Sequence, residues 1–407
     1  MKYRVLALRT NAYPNAATAT RRFESFCHYL YENGFDVTVL ALTPTDACMA
    51  GKRHLNPACR FEVIRVPEPP SRHPFIGLVE RQMARRFFPA MHDSAAANRA
   101  VSRAAFRLLS ERHFDCMLTT YPPMGSLLLA DRLSQKFNLP WIADLRDIPD
   151  EFDSSRREWI TRRTARMLGK ACASAAHILT VSEPLGRRLK SHYALQAPIS
   201  IVYNGFEDDL FAQQELPATD KFFRITYCGN FGSGRDPLML FDALDMLASQ
   251  GESMQGVEVH FYGTRNKDIL RATRRWKGML QCHGVVPHAE ALAAQMQSAI
   301  LLSLSSPSCQ GILTSKIFEY AMIGRPVLSI PPDDDVLDDF IQKARIGHVG
   351  RSVEDVAAFI KNHLAFWRAT GMLPRSCPDK TYIGQFSRSS QAGKVNDAIR
   401  QVLRRSC

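Results

Sequence analysis

No uninterrupted apolar run in these 407 residues approaches the roughly 20 that a helix needs to cross a bilayer. A bundle of membrane-spanning helices is thereby excluded. The opening Met-Lys-Tyr-Arg-Val-Leu-Ala-Leu is too short and too quickly polar for a secretory leader, and reads as a first β-strand. A cytosolic protein is expected. The ten cysteines are scattered, with no Cys-x-x-Cys and no histidine at zinc spacing, so neither a disulfide framework nor a metal module is indicated. Cys116 and Cys228 lie inside apolar runs, where a thiol behaves as a small hydrophobe. Also missing is any RNA- or DNA-binding motif, and aromatics do not interleave with the basic clusters. Nucleic acid is therefore not an expected partner, although the formal charge is +12. That charge fits phosphorylated small molecules or an anionic membrane surface instead.

What the chain does have is length and alternation. It exceeds what one hydrophobic core usually supports, so two domains are expected. Strand-like segments at 3–8, 36–42, 61–66, 116–119, 141–143, 176–181 and 200–203 alternate with helical patterns such as 21–33 and 125–137. This predicts a doubly wound α/β domain over 1–206. Residues 207–220 are acidic and without periodicity, the best candidate linker. A second α/β run covers 207–380: strands at 223–227, 257–262, 281–283, 300–304 and 327–330, with helices at 237–250 and 290–297. The tail, 381–407, holds Val395, Ile399, Val402 and Leu403 at helical spacing and is expected to pack back on the first domain. Residues 72–112 form a basic, amphipathic stretch, which can lie on an anionic leaflet or simply cover the sheet.

Ligands in such folds sit at the carboxyl ends of the strands, and the informative loops fall there. Thr314, Ser315 and Lys316 open a helix, and Glu319 lies one turn inside it. A helix N-terminus with a hydroxyl and an ammonium suits a diphosphate, and a carboxylate beyond it can accept from a vicinal diol. The pattern points to a sugar nucleotide. The alternative is an ordinary αβ unit in which Lys316 is solvated. Gly229-Asn230-Phe231-Gly232-Ser-Gly-Arg235 ends a strand with a glycine-rich loop and a cation that can pair with phosphate oxygens. Asp144, Arg146 and Asp147 crowd another strand end, either paired among themselves or lining the cleft. The acidic run 333–339, without a histidine companion, reads as solvated rather than as a metal site.

Taken in order, these motifs resemble the GT-B glycosyltransferases, specifically the retaining family four and its bacterial surface-polysaccharide subgroup. The resemblance rests on Tyr13-Pro14, Asp144-x-Arg146-Asp147, Tyr203-Asn-Gly205, Gly229-Asn-Phe-Gly with Arg235, and Ser315-Lys-x-Phe-Glu-Tyr with Gly324-x-Pro326. It implies two Rossmann-like domains facing across a cleft, the second binding a nucleotide-sugar donor and the first a glycan or lipid-linked acceptor. It further implies transfer with retention and without a metal or other cofactor; the protein is expected in the cytoplasm, and the basic stretch 72–112 allows peripheral contact with the inner face of the cytoplasmic membrane. By resemblance Glu319 holds the donor ribose, Arg235 the pyrophosphate, and Val285-Val286 the nucleobase. Asp144, Arg146 and Asp147 would touch donor sugar or acceptor. Three departures stand out. The family's first acid is replaced by Gly311, its pyrophosphate lysine by Lys316, and its first glycine pair by Ala16-Ala17-Thr18-Ala19. These leave room for a sugar-nucleotide epimerase of the same fold, or a catalytically silent partner subunit.

Overall fold

The computed structural model of the chain describes residues 2–12, 18–43, 60–67, 95–148, 158–208, 215–229, 231, 235–263, 276, 278–306 and 311–406. It divides into two compact units, Met1–Asn204 with Arg388–Cys407, and Gly205–Ser387. Among the described residues, no helix is long and apolar enough to cross a membrane.

The N-terminal unit runs β1 (Arg4–Ala12), α1 (Thr18–Glu32), β2 (Asp36–Leu42), β3 (Glu62–Val66), α2 (Ala95–Glu111), β4 (Cys116–Tyr121), α3 (Met124–Phe137), β5 (Trp141–Leu145), α4 (Glu158–Cys172), β6 (His177–Thr180), α5 (Glu183–Ser191) and β7 (Ile199–Ile201). Every pairing in its seven-stranded sheet is parallel, in the order β3-β2-β1-β4-β5-β6-β7. All residues of β4 and β5 are buried, as strands covered on both faces must be. The strand order reverses between β1 and β4, so their carboxyl ends border a crevice.

The C-terminal unit repeats the plan with β8 (Phe223–Cys228), α6 (Leu238–Ser249), β9 (Val257–Tyr262), β10 (Leu280–Gly284), α7 (His288–Met296), β11 (Ile300–Leu304), α8 (Ser315–Ile323), β12 (Val327–Ile330), α9 (Val336–Ala344), β13 (Gly347–Val349), α10 (Val353–Thr370) and α11 (Lys380–Gly384). Its sheet is parallel in the order β10-β9-β8-β11-β12-β13, with the reversal between β8 and β11. Phe223, Ile225, Val259, Phe261, Leu302 and Leu328 make its core with Leu240, Leu244, Ile360 and Leu364 from α6 and α10. The last helix, α12 (Arg388–Ser406), belongs to the N-terminal unit. There Val395, Ile399, Val402 and Leu403 share a core with Phe23, Phe26 and Leu30 of α1.

Two expectations change on inspection. The second half of the expected linker, 215–220, is tied into the C-terminal unit. Leu373 N–H donates to Ala218 O at 2.8 Å, and the wholly buried Arg325 donates to Pro217 O, Met296 O and Pro374 O. A guanidinium with five donors satisfies several carbonyls at once, which a stretch without secondary structure of its own requires. The acidic run is not wholly solvated either. Asp333 caps α9, accepting from the N–H groups of Asp335, Leu337 and Asp338. Asp338 is 4% exposed, and burial pushes its carboxyl up to about 6. Of the segment 72–112, Ala95–Glu111 is helix α2; the residues before Ala95 lie outside the described set.

Candidate active site

In the C-terminal unit the predicted residues gather at the reversal point of the sheet. β8 delivers Gly229 at its carboxyl end and Arg235 before α6; β11 delivers Ser305 and Ser306. Between them α8 begins at Ser315. Tyr227, Arg235, Ser306, Thr314, Lys316 and Asp333 line one cleft there. Thr314 stands at the N-cap of α8 with extended backbone (φ −71, ψ 153) and makes no side-chain cap. The first amides of the helix thus keep their donors for another acceptor.

Gly229 makes room for Lys316. A methyl carbon built on Gly229 would lie 1.9 Å from Lys316 Nζ, and one on Gly263 would lie 1.9 Å from Gly229 O. Both positions must be glycine for the strand ends and the ammonium to approach so closely. Lys316 Nζ also sits 5.0 Å from the Tyr227 ring centroid, a cation–π contact. Burial, and then the neighbouring Arg235, bring its pKa from 10.5 down to about 8. An ammonium and a guanidinium lining one partly dehydrated cleft favour an anion there.

Glu319 lies one turn into α8, on the helix that carries Lys316. Its Oε1 is 3.1 Å from His288 Nε2, and its side chain keeps 14% exposure. His288 opens α7 directly after Val285-Val286-Pro287, so this contact ties the predicted nucleobase loop to the predicted ribose acid. Val285 is 80% exposed, an apolar side chain standing in solvent. Sequence reading missed His288; a histidine two residues past the predicted Val285-Val286 contact loop was the available signal. Gly311, where the family carries an acid, has φ +84. An acid there would strain the backbone. Asn230 and Gly232 lie outside the described residues.

Asp144, Arg146 and Asp147 sit in the N-terminal unit and form a different kind of cluster. Asp144 does not take Arg146 as its partner. Arg22 of α1 grips it, Nη2 to Oδ1 at 2.8 Å and Nε to Oδ2 at 3.3 Å, and Thr120 donates to Oδ2 at 3.0 Å. Both members of the pair are 1% exposed. Arg22 also donates to Tyr203 O at 2.6 Å and lies over the Phe26 ring. Arg146 instead reaches Thr120 Oγ1 and Pro122 O, and burial lowers its pKa against the pull of Asp147 and Asp144. Asp144 thus holds together β4, β5 and α1, and its contacts leave it no direct route to a ligand. Asp147 is half-buried beside Arg146.

Among the described residues, no three His, Cys, Asp or Glu side chains are placed to hold a metal. With the geometry in view, residues 18–205 match the family described as Glycosyl transferase 4-like domain. No curated protein matches the sequence. Several solved structures share the fold along the whole chain. Sucrose-phosphate synthase (tll1590) from Thermosynechococcus elongatus superposes with a TM-score of 0.66 at 13% identity, covering 99% of this chain and 100% of that one. Anabaena Alr3699/HepE in complex with UDP and glucose gives 0.62 at 12%, covering 98% and 100%. The lipopolysaccharide outer core galactosyltransferase WaaB gives 0.58 at 14%, covering 98% and 99%. The fold is therefore the two-domain α/β architecture of GT-B glycosyltransferases.

Proposed function

We propose that this protein is a glycosyltransferase that moves a sugar from a nucleoside diphosphate to a glycan or lipid-linked acceptor. The observation that carries the reading is the meeting of Arg235 and Lys316 in one cleft at the β8/β11 reversal, with Glu319 a turn beyond. The fold likeness to HepE, bound there with UDP and glucose, supports a nucleotide-sugar donor. The match of residues 18–205 supports the transferase class.

In this reading the bond from the sugar's anomeric carbon to the diphosphate breaks while one to an acceptor oxygen forms. The acceptor proton passes to the departing phosphate oxygen. Negative charge grows on the diphosphate, and Arg235, Lys316 and the uncapped amides of α8 are placed to take it. Because two fixed cations fill that role, the reaction needs no metal, and attack from the leaving group's own face retains configuration. Glu319, steadied by His288, accepts from the ribose diol, and the Val285-Val286 loop meets the base. Gly229, Thr314 and Ser315 shape the diphosphate pocket; Asn230 and Gly232, assigned to the donor from the sequence, lie outside the described residues. Asp144 acts by tying β4 and β5 to α1, and Arg146, with Asp147 beside it, by holding Thr120 and Pro122 at the end of β4. Polysaccharide synthesis at the inner face of the membrane, through the basic N-terminal unit, is the setting this reading assigns.

The test is release of nucleoside diphosphate from a panel of nucleotide sugars, with a chelator present. Wild type should turn over at least one donor, and Lys316→Ala should lower turnover by about 10²–10³-fold, as loss of one preorganised electrostatic partner does. Equal release by Lys316→Ala and Glu319→Ala would overturn the proposal. Epimerised donor without release would replace it with an epimerase.

A further inference from the structure

A second basic cluster lies in the N-terminal unit, apart from the residues assigned to the donor, and draws on α2 of the basic stretch 72–112. A cavity of about 410 Å³ opens between α2 and α3 at the carboxyl end of β1. Arg99, Ser102 and Arg103 enter it from α2, Arg132 from α3, and Thr10 lies at its floor. Among the described residues none of these three arginines has a carboxylate partner. The acids on the same helices are engaged elsewhere: Glu111 pairs with Arg107, and Asp131 accepts from Gln135 and Ser174. Arg99 and Arg103 are four residues apart on α2, a spacing at which like charges destabilise a helix. Nothing in the described chain offsets that repulsion; an anion in the cavity would.

Asn98, which also lines the cavity, supplies an independent sign of an incomplete site. Its Oδ1 is buried without a hydrogen-bond partner. The amide fits because residue 125 is glycine: a methyl carbon there would lie 2.5 Å from Asn98 Oδ1. A buried acceptor left unpaired costs free energy unless something donates to it. A ligand carrying both phosphate and hydroxyl groups would answer the arginines and the amide together.

We propose that this cavity binds a phosphate group, and that the phosphate belongs to the acceptor. The second half rests on the transferase reading; the first half does not. Arginine is the side chain suited to the role, because its planar fork pairs two donors with two phosphate oxygens.

The experiment titrates inorganic pyrophosphate into the full chain by calorimetry, with UDP saturating the other unit, and repeats it in Lys316→Ala. The variant is Arg103→Gln/Arg132→Gln, both solvent-facing helix positions, with its melting temperature checked against wild type. Pyrophosphate affinity should fall at least tenfold in this variant while UDP affinity stays the same; Lys316→Ala should do the reverse. Co-sedimentation with phosphatidylglycerol vesicles, set against phosphatidylcholine, separates the sources. Binding that the variant loses identifies a lipid headgroup, and pyrophosphate binding without vesicle binding identifies a soluble phosphate. Equal affinity of variant and wild type for pyrophosphate and for vesicles would overturn the cavity's role. Failure of UDP, GDP and ADP all to bind, with the pyrophosphate effect intact, would sink the donor reading and leave the cavity standing.

Discussion

Asp144 in the N-terminal unit and Glu319 in the C-terminal unit are both acids near the switch point of a parallel sheet. Asp144 is 1% exposed, with both oxygens taken by Arg22 and Thr120. Glu319 keeps 14% of its side chain exposed and commits Oε1 to His288, while Oε2 has no hydrogen-bond partner among the described residues. The first carboxylate is used up in holding strands to a helix. The second is held in place but left available. The cations follow the same division: Arg22 is sealed against Asp144, whereas Lys316 shares an open cleft with Arg235. Bulk charge runs the other way. The N-terminal unit carries 34 Lys and Arg against 19 Asp and Glu, and the C-terminal unit 18 against 21. On the proposed reading the donor is held by two cations inside an acidic unit, while the basic excess belongs to the unit given the acceptor.

The contrast can be broken first at its structural end. Arg22→Ala strands the buried Asp144 charge and should cost about 3–5 kcal/mol, read from the denaturant midpoint. An unchanged midpoint would mean that the pair is not structural. Lys316→Ala should leave that midpoint near wild type, because it removes a partly desolvated charge, while lowering turnover by the factor given above. Gly229→Ala sharpens the comparison further. Its methyl group displaces Lys316 Nζ, so UDP affinity should fall by about tenfold, about 1.4 kcal/mol, with little change in fold. The smallest effect is in pH. A bound diphosphate stabilises the ammonium and raises the Lys316 pKa from about 8, so binding at pH 8–9 should take up protons. Calorimetry in buffers of different ionisation enthalpy would measure this, and affinity should weaken as pH rises past that range. Stability moves in the opposite sense. Between about 8 and 10.5 the unfolded chain binds more protons at this lysine than the folded one, so its contribution to stability rises with pH.

The parallel sheets were legible because buried strands are nearly continuous in apolar residues and alternate with helical periodicity. The motif at Ser315–Glu319 was legible because helix start, cation and acid lie within five residues of one another. The Arg22–Asp144 pair was not, since its members stand 122 residues apart and Arg146 is the nearer partner in sequence. His288 was missed for a similar reason: its role exists only once α7 and α8 are side by side. The acidic run at 333–339 misled because a capping aspartate and a solvated one read alike until the helix behind them is known. Arg325 gave no signal at all, since its partners are backbone carbonyls, which no residue type reveals.

The central claim is that the C-terminal unit grips a nucleoside diphosphate through Lys316, Arg235 and Glu319. Calorimetric titration of UDP, GDP and ADP into wild type, Lys316→Ala and Glu319→Gln tests it most directly. At least one nucleotide should bind wild type and lose tenfold or more in affinity with each variant. Binding that is equally tight in all three proteins would contradict it.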